Sequence, residues 1–114
     1  MRRFDHIKGT AFFKHASSAW LGGVWDSAGK LRFQKTSVRV EIGTVPLYVA
    51  EHLRELYGGT IHKKVEGYYI WKCDPIKQPD FLECILLWSR NPNSGDIIRA
   101  LVRSRGMQYV TNNV

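Results

Sequence analysis

Ser17-Ser18-Ala19-Trp20-Leu21-Gly22-Gly23-Val24-Trp25-Asp26-Ser27-Ala28-Gly29 reads as a short apolar helix with two adjacent glycines inside it. Each glycine costs about 1 kcal/mol against alanine in a helix interior, so close approach of another backbone has to offset the loss. Ala19, Gly22 and Gly23 make a stripe of small residues, which we expect to be a docking surface. Trp20, Leu21, Val24 and Trp25 supply a bulky remainder for the chain's own core, and Ser17 or Ser18 suits the N-cap.

Downstream, the pattern changes period twice. Residues 30–36 alternate, with Leu31 and Phe33 on one side, and residues 37–43 alternate again, with Val38, Val40 and Ile42 inward. Thr44 as cap and Pro46 in the first turn then open a helix with Leu47, Ala50, Leu53, Leu56 and Tyr57 as its stripe, closed by Gly58-Gly59. Residues 60–65 and 68–73 form a second strand pair, with Ile61, Tyr69, Trp71 and Cys73 inward. Pro79 or Asp80 opens a third helix carrying Phe81, Leu82, Ile85 and Leu86, and Asn91-Pro92-Asn93 breaks it. Residues 94–105 make a last amphipathic helix, with Ile97, Ile98, Leu101 and Val102 inside and Arg99, Arg103 and Arg105 outside. The order αββαββαα predicts an α+β fold, a four-stranded antiparallel sheet covered on one face by helices. One domain over 1–114 is expected, with a basic lead-in (1–16), a core (17–105) and a loose polar tail (106–114).

A chain of 114 residues supports one modest core. A formal charge of +7 points to a polyanionic partner, nucleic acid before a membrane surface. Cys73 and Cys84 lack the spacing of a metal site and read as reduced core residues, and His6, His15, His52 and His62 are scattered. The N-terminal residues lack the length and apolarity of a signal peptide or membrane span, so an intracellular protein that is neither secreted nor membrane-bound is expected.

The residues 21–29, Leu-Gly-Gly-Val-Trp-Asp-Ser-Ala-Gly, resemble the LAGLIDADG motif of homing endonucleases, agreeing at the Leu, the second Gly, the first Asp and the last Gly. The element order agrees over roughly residues 17–90, including Leu53-Arg54-Glu55-Leu56-Tyr57-Gly58-Gly59 leading to Tyr68-Tyr69-Ile70-Trp71. The resemblance implies sequence-specific binding of long double-stranded DNA sites, as a homodimer for single-motif chains, and Mg²⁺-dependent phosphodiester hydrolysis. It places Ala28 where the family carries its metal-binding acid, so hydrolysis is expected to be disabled. Asp26 is the nearest acid and the remaining catalytic candidate, but two residues along a helix turn it ~200° away, so it should point elsewhere; the resemblance implies a structural role for this first acid, capping or bridging at the helix ends. Arg90 is the nearest match for the family's auxiliary basic residue.

The polar side of the expected sheet carries Lys30, Arg32, Gln34, Arg39, Glu41, His62, Lys64 and Lys72. Half-buried antiparallel sheets alternate in this way without any ligand. Together with the charge and the motif, the face reads as a DNA surface, in which Arg or Lys suits guanine, Gln suits adenine and Glu41 accepts from cytosine in the major groove. The two-fold contact would run through Ala19, Gly22 and Gly23. Competing readings are a catalytically inactive DNA-binding regulator, an intron maturase acting on structured RNA, and a monomeric interaction domain whose glycine helix packs internally.

Overall fold

Helix α1 (Ala11–Ala28) runs without a loop into strand β1 (Gly29–Phe33), so the helix end and the sheet edge are one rigid corner. Strand β2 (Val38–Val45), helix α2 (Leu47–Tyr57), strands β3 (Thr60–Val65) and β4 (Tyr68–Lys72), a 3₁₀ turn (Pro75–Lys77), and helices α3 (Gln78–Trp88) and α4 (Ser94–Asn112) follow. The computed structural model describes residues 11–90 and 94–112, with side chains over 19–90 and 94–106. The expected N-terminal residues 1–10 and the Asn91-Pro92-Asn93 break lie outside the described residues.

The four strands lie in the order β1-β2-β4-β3, all antiparallel. Gly29, Ile42, Trp71 and Ile61 stand in one row across the sheet, and Val38, Val40, Ile42, Trp71 and Cys73 are buried with Leu21, Trp25, Leu53, Phe81, Leu82, Ile85, Ile97 and Leu101. All the helices therefore share one side of the sheet, and the αββαββαα expectation holds. Phe81 is the hub of this core. Its ring meets Trp25 at 5.8 Å, Tyr57 at 5.2 Å and Trp71 at 5.2 Å between centroids, and edge or tilted pairs of this kind add about 0.5–1.5 kcal/mol each beyond area burial. The Trp71 indole donates to the Gly58 carbonyl at 2.8 Å, so its one polar atom is satisfied.

Several local expectations are corrected. Helix α1 starts at Ala11, which puts Ser17 and Ser18 inside it rather than at its cap. Nothing between Ala11 and Leu21 is a glycine or proline that would stop a helix there. Helix α2 starts at Leu47 with Pro46 as N-cap, because Thr44 and Val45 still belong to β2, whose pairing with β4 shifts register between Ile42 and Val45. No side chain caps α2, so Thr44, which sits at φ 62° within β2, is not its cap. The buried stripe of α2 is Val49, Ala50 and Leu53, while Leu47 and Leu56 are exposed.

Helix α4 extends to Asn112, so the stretch expected to be a loose tail is helical that far. It turns Ile97, Ala100, Leu101 and Ser104 inward and leaves Ile98 and Val102 exposed. The small pair Ala100 and Ser104 lets α4 approach α3, where the Ser104 hydroxyl donates to the buried Gln78 amide oxygen at 2.9 Å. Its arginines are engaged with the chain: Arg99 lies 3.8 Å over the Phe33 ring, Arg103 donates to the Gln34 carbonyl at 2.6 Å, and Arg105 pairs with Glu83.

Candidate nucleic-acid interface

Two surfaces meet at the corner between α1 and β1. The first is the sheet face away from the helices. Strand pairing aligns Lys30, Glu41, Lys72 and Thr60 in one row across all four strands, with Arg32 opposite Arg39 in the next. His62 pairs with Ile70, and its Nε2 lies 3.0 Å from the Thr60 hydroxyl. Lys30, Arg32, Arg39, His62 and Lys64 are exposed and Lys72 half-buried. The face is thus a shallow cationic surface with one carboxylate near its middle.

Two expected members of that face do something else. Gln34 lies beyond the end of β1, in the turn to β2, where its backbone N–H donates to the Ser37 carbonyl at 2.8 Å and its amide oxygen accepts from the Ser37 hydroxyl at 2.8 Å. Glu41 is on the face but buried, and Arg32 Nε donates to its Oε2 at 3.2 Å. Glu41 is therefore an internal partner of its neighbours rather than an open acceptor.

The second surface is the outer side of α1. Consecutive helix residues are 100° apart, and the glycine pair is divided by that angle. Gly22 is buried. A Cβ there would collide with the Trp88 backbone of α3 and come within 2.8 Å of the Trp88 Cβ. Gly23 is exposed, and among the described residues nothing beyond its own helix turn lies within 4 Å of the place a Cβ would occupy. The expectation that Gly22 serves a second molecule is therefore corrected: its missing side chain lets α1 and α3 of one chain touch. Ala19, Gly23 and Ser27, at four-residue spacing, form the small-residue stripe that remains open. Ser27 was missed in the sequence, although the i, i+4 spacing from Gly23 could have found it.

Beside this stripe lies an open apolar groove of about 400 Å³, lined by Trp20, Gly23, Val24, Ser27, Ala28, Val45 and Val49. Trp20 is steadied from α2 by an edge-on contact with His52 at 5.1 Å. At the end of α1, the Asp26 carboxylate accepts from the Ser89 hydroxyl and from the Arg90 backbone N–H at 2.8 Å. Asp26 thus ties α1 to the chain leaving α3, the bridging role expected of it, and Arg90 is held there by its backbone.

A hard cation such as Mg²⁺ requires carboxylate or carbonyl oxygens. Ala28 offers a methyl group, the rest of the groove is apolar but for Ser27, and Asp26 is already committed to α3. No group of three or more His, Cys, Asp or Glu that could hold a metal is found among the described residues. The residues present do not fit a magnesium site on this subunit. The cysteines are free, and burial, followed by the Asp74 charge, pushes the Cys73 thiol up to about 12. Among the described residues, no helix is long and apolar enough to cross a membrane.

No protein-family model matches the sequence, and no curated protein matches it. Among solved structures, the chain is similar to the homing endonuclease I-CvuI in complex with its target in the presence of calcium, with a TM-score of 0.65 and 20% identity over 82% of this chain and 69% of that one. It is also similar to the same enzyme on the I-CreI target in magnesium, a complex described as revealing DNA not cleaved, with a TM-score of 0.60 and 16% identity over the same shares. The fold is the LAGLIDADG homing-endonuclease fold.

Proposed function

We propose that this chain is a LAGLIDADG-type protein that binds a long duplex DNA site as a homodimer and does not hydrolyse it. The observation that carries the reading is the corner itself: a cationic sheet face directly joined to a helix whose outer side is open, small and flanked by an apolar groove. Two copies meeting through Ala19, Gly23 and Ser27 on a two-fold axis would bury the groove and bring two sheets side by side. Each sheet would then follow the major groove of one half-site, where a two-stranded ribbon fits and the base edges carry a distinct pattern for each pair.

Lys30, Arg39, Lys64 and Lys72 would supply attraction to phosphates, and binding would weaken steeply with salt. Hydrolysis in this family depends on a divalent ion held between protein and scissile phosphate. Ala28 removes that ligand from both half-sites together, since a homodimer repeats every residue. Likeness to DNA complexes of I-CvuI supports the partner; the donor chemistry around Ala28 supports the loss of cutting.

The test is sedimentation of the chain with and without a bound duplex in Mg²⁺, followed by recovery of the DNA. Two chains per duplex and intact strands are expected. One chain per duplex, or efficient strand scission, contradicts the proposal.

A further inference from the structure

We infer that Arg32 and Glu41 act as one guanine-reading unit on the sheet, with Glu41 as a positioning residue for the Arg32 guanidinium; this rests on the DNA reading above. Glu41 lies on the face away from the helices, yet its side chain is only 7% exposed. A covered carboxylate is costly unless it is paired. Lys30 and Lys72 stand directly across from Glu41 on the two neighbouring strands, and Arg32, diagonal to it, donates Nε to Oε2 at 3.2 Å.

The Arg32 side chain remains 58% exposed. Its inner edge is held by Glu41 through Nε, while its terminal amino groups donate no hydrogen bond among the described residues. Two outward N–H groups on a planar fork match the O6 and N7 acceptors of guanine. Arg39 stands directly opposite Arg32, and like charges across a strand pair repel. Glu41 counters that repulsion on one side only, which favours a single orientation for Arg32. A fork fixed before binding loses less rotamer freedom when it docks. The alternative is that Glu41 only neutralises surrounding cations, in which case its loss alters affinity for every sequence alike.

The experiment selects duplexes from a random pool with the full chain and with Arg32→Lys, Glu41→Gln and Glu41→Ala, each checked by a melting curve. The unsubstituted protein should prefer guanine about tenfold or more at one position of each half-site. Arg32→Lys keeps the charge and should cut that preference below about threefold there alone, leaving the salt slope unchanged. Glu41→Gln keeps a neutral acceptor and should relax the same position partly, with Glu41→Ala relaxing it further. Should Glu41→Ala unfold, Arg32→Lys and Glu41→Gln carry the test, since Arg32 is exposed and the amide matches the carboxylate in shape. Unchanged preference in these variants, or a loss spread evenly over all positions, overturns the unit. A protein that selects no duplex at all overturns the DNA reading and this inference with it; a clear consensus to which the variants are indifferent overturns the inference alone.

Discussion

Alanine at Gly22 and at Gly23 should have opposite effects, though the two are neighbours in one helix. At Gly22 the added methyl would overlap the Trp88 backbone carbonyl, with the Trp88 Cβ at 2.8 Å. A backbone cannot swing aside as a side-chain tip can, so helix α1 must separate from α3. Overpacking of this kind costs about 1–3 kcal/mol. Taking the upper end, because the obstacle is main chain, and subtracting the ~1 kcal/mol gained in helix propensity leaves a net loss of about 2 kcal/mol. For a domain of this size that lowers the melting temperature by roughly 10 °C. At Gly23 no described atom outside its own helix turn lies within 4 Å of the added Cβ, so the subunit itself should gain up to ~1 kcal/mol. The same methyl would be placed twice at the two-fold contact and should weaken dimerisation about tenfold or more. Urea unfolding at a concentration below the dimer dissociation constant, paired with sedimentation above it, separates the two effects, since association otherwise adds to apparent stability. A Gly22→Ala protein as stable as the parent would refute the packing argument, and a Gly23→Ala dimer of unchanged affinity would refute the interface.

Asp26→Ala removes the acceptor for Ser89 and Arg90 at the α1–α3 junction and should cost about 1–2 kcal/mol in urea unfolding, the low end for charged hydrogen bonds at an exposed site; no loss would show that the junction is held by packing alone. Ala28→Asp puts a carboxylate at each α1 end of the proposed dimer, so association should weaken without divalent ions and recover in Mg²⁺, a difference that sedimentation reads directly. If the dimer of that variant is indifferent to Mg²⁺, the two α1 ends do not meet. Cys73 titrates near 9 when unfolded and at about 12 in the fold, because burial disfavours the thiolate. The folded state therefore holds the proton more tightly, and stability is intact below pH 9, then falls between pH 9 and 12 by up to about 1.4 kcal/mol per pH unit for this group. The half-buried Tyr57 hydroxyl is shifted in the same direction, by desolvation first and then by its neighbour Cys84. Cys73→Ala should make the alkaline decline measurably shallower, and an unchanged slope would remove the thiol from the account.

The element order was legible because the strands alternate strictly over Val38, Val40 and Ile42 and because Gly58-Gly59 and Pro79 mark real boundaries. The polar sheet face was legible for the same reason, and strand pairing puts Lys30, Arg32, Arg39, Glu41 and Lys72 together as the alternation required. Helix rotation was less legible. Leu47, Leu56, Ile98 and Val102 are as apolar as their buried neighbours, and periodicity alone does not say whether Val49 or Leu47, Ala100 or Ile98, faces the core. What decides in α4 is the approach of two helices through Ala100 and Ser104, a contact between segments distant in the chain. The paired glycines misled for a related reason: both lack a side chain, but only the partner helix shows that Gly22 is spent within the subunit and Gly23 is not. Burial of Glu41 was not legible because it depends on strand pairing, which sets Lys30 and Lys72 opposite it and brings Arg32 to its carboxylate.

The most direct test of the central claim is to incubate the unsubstituted chain with a random duplex pool in Mg²⁺ and to sequence what it retains. The account predicts full-length duplexes sharing a consensus that reads the same on both strands, with guanine fixed at one place in each half. Retention without a shared sequence, or recovery of the DNA as cut ends, would contradict it.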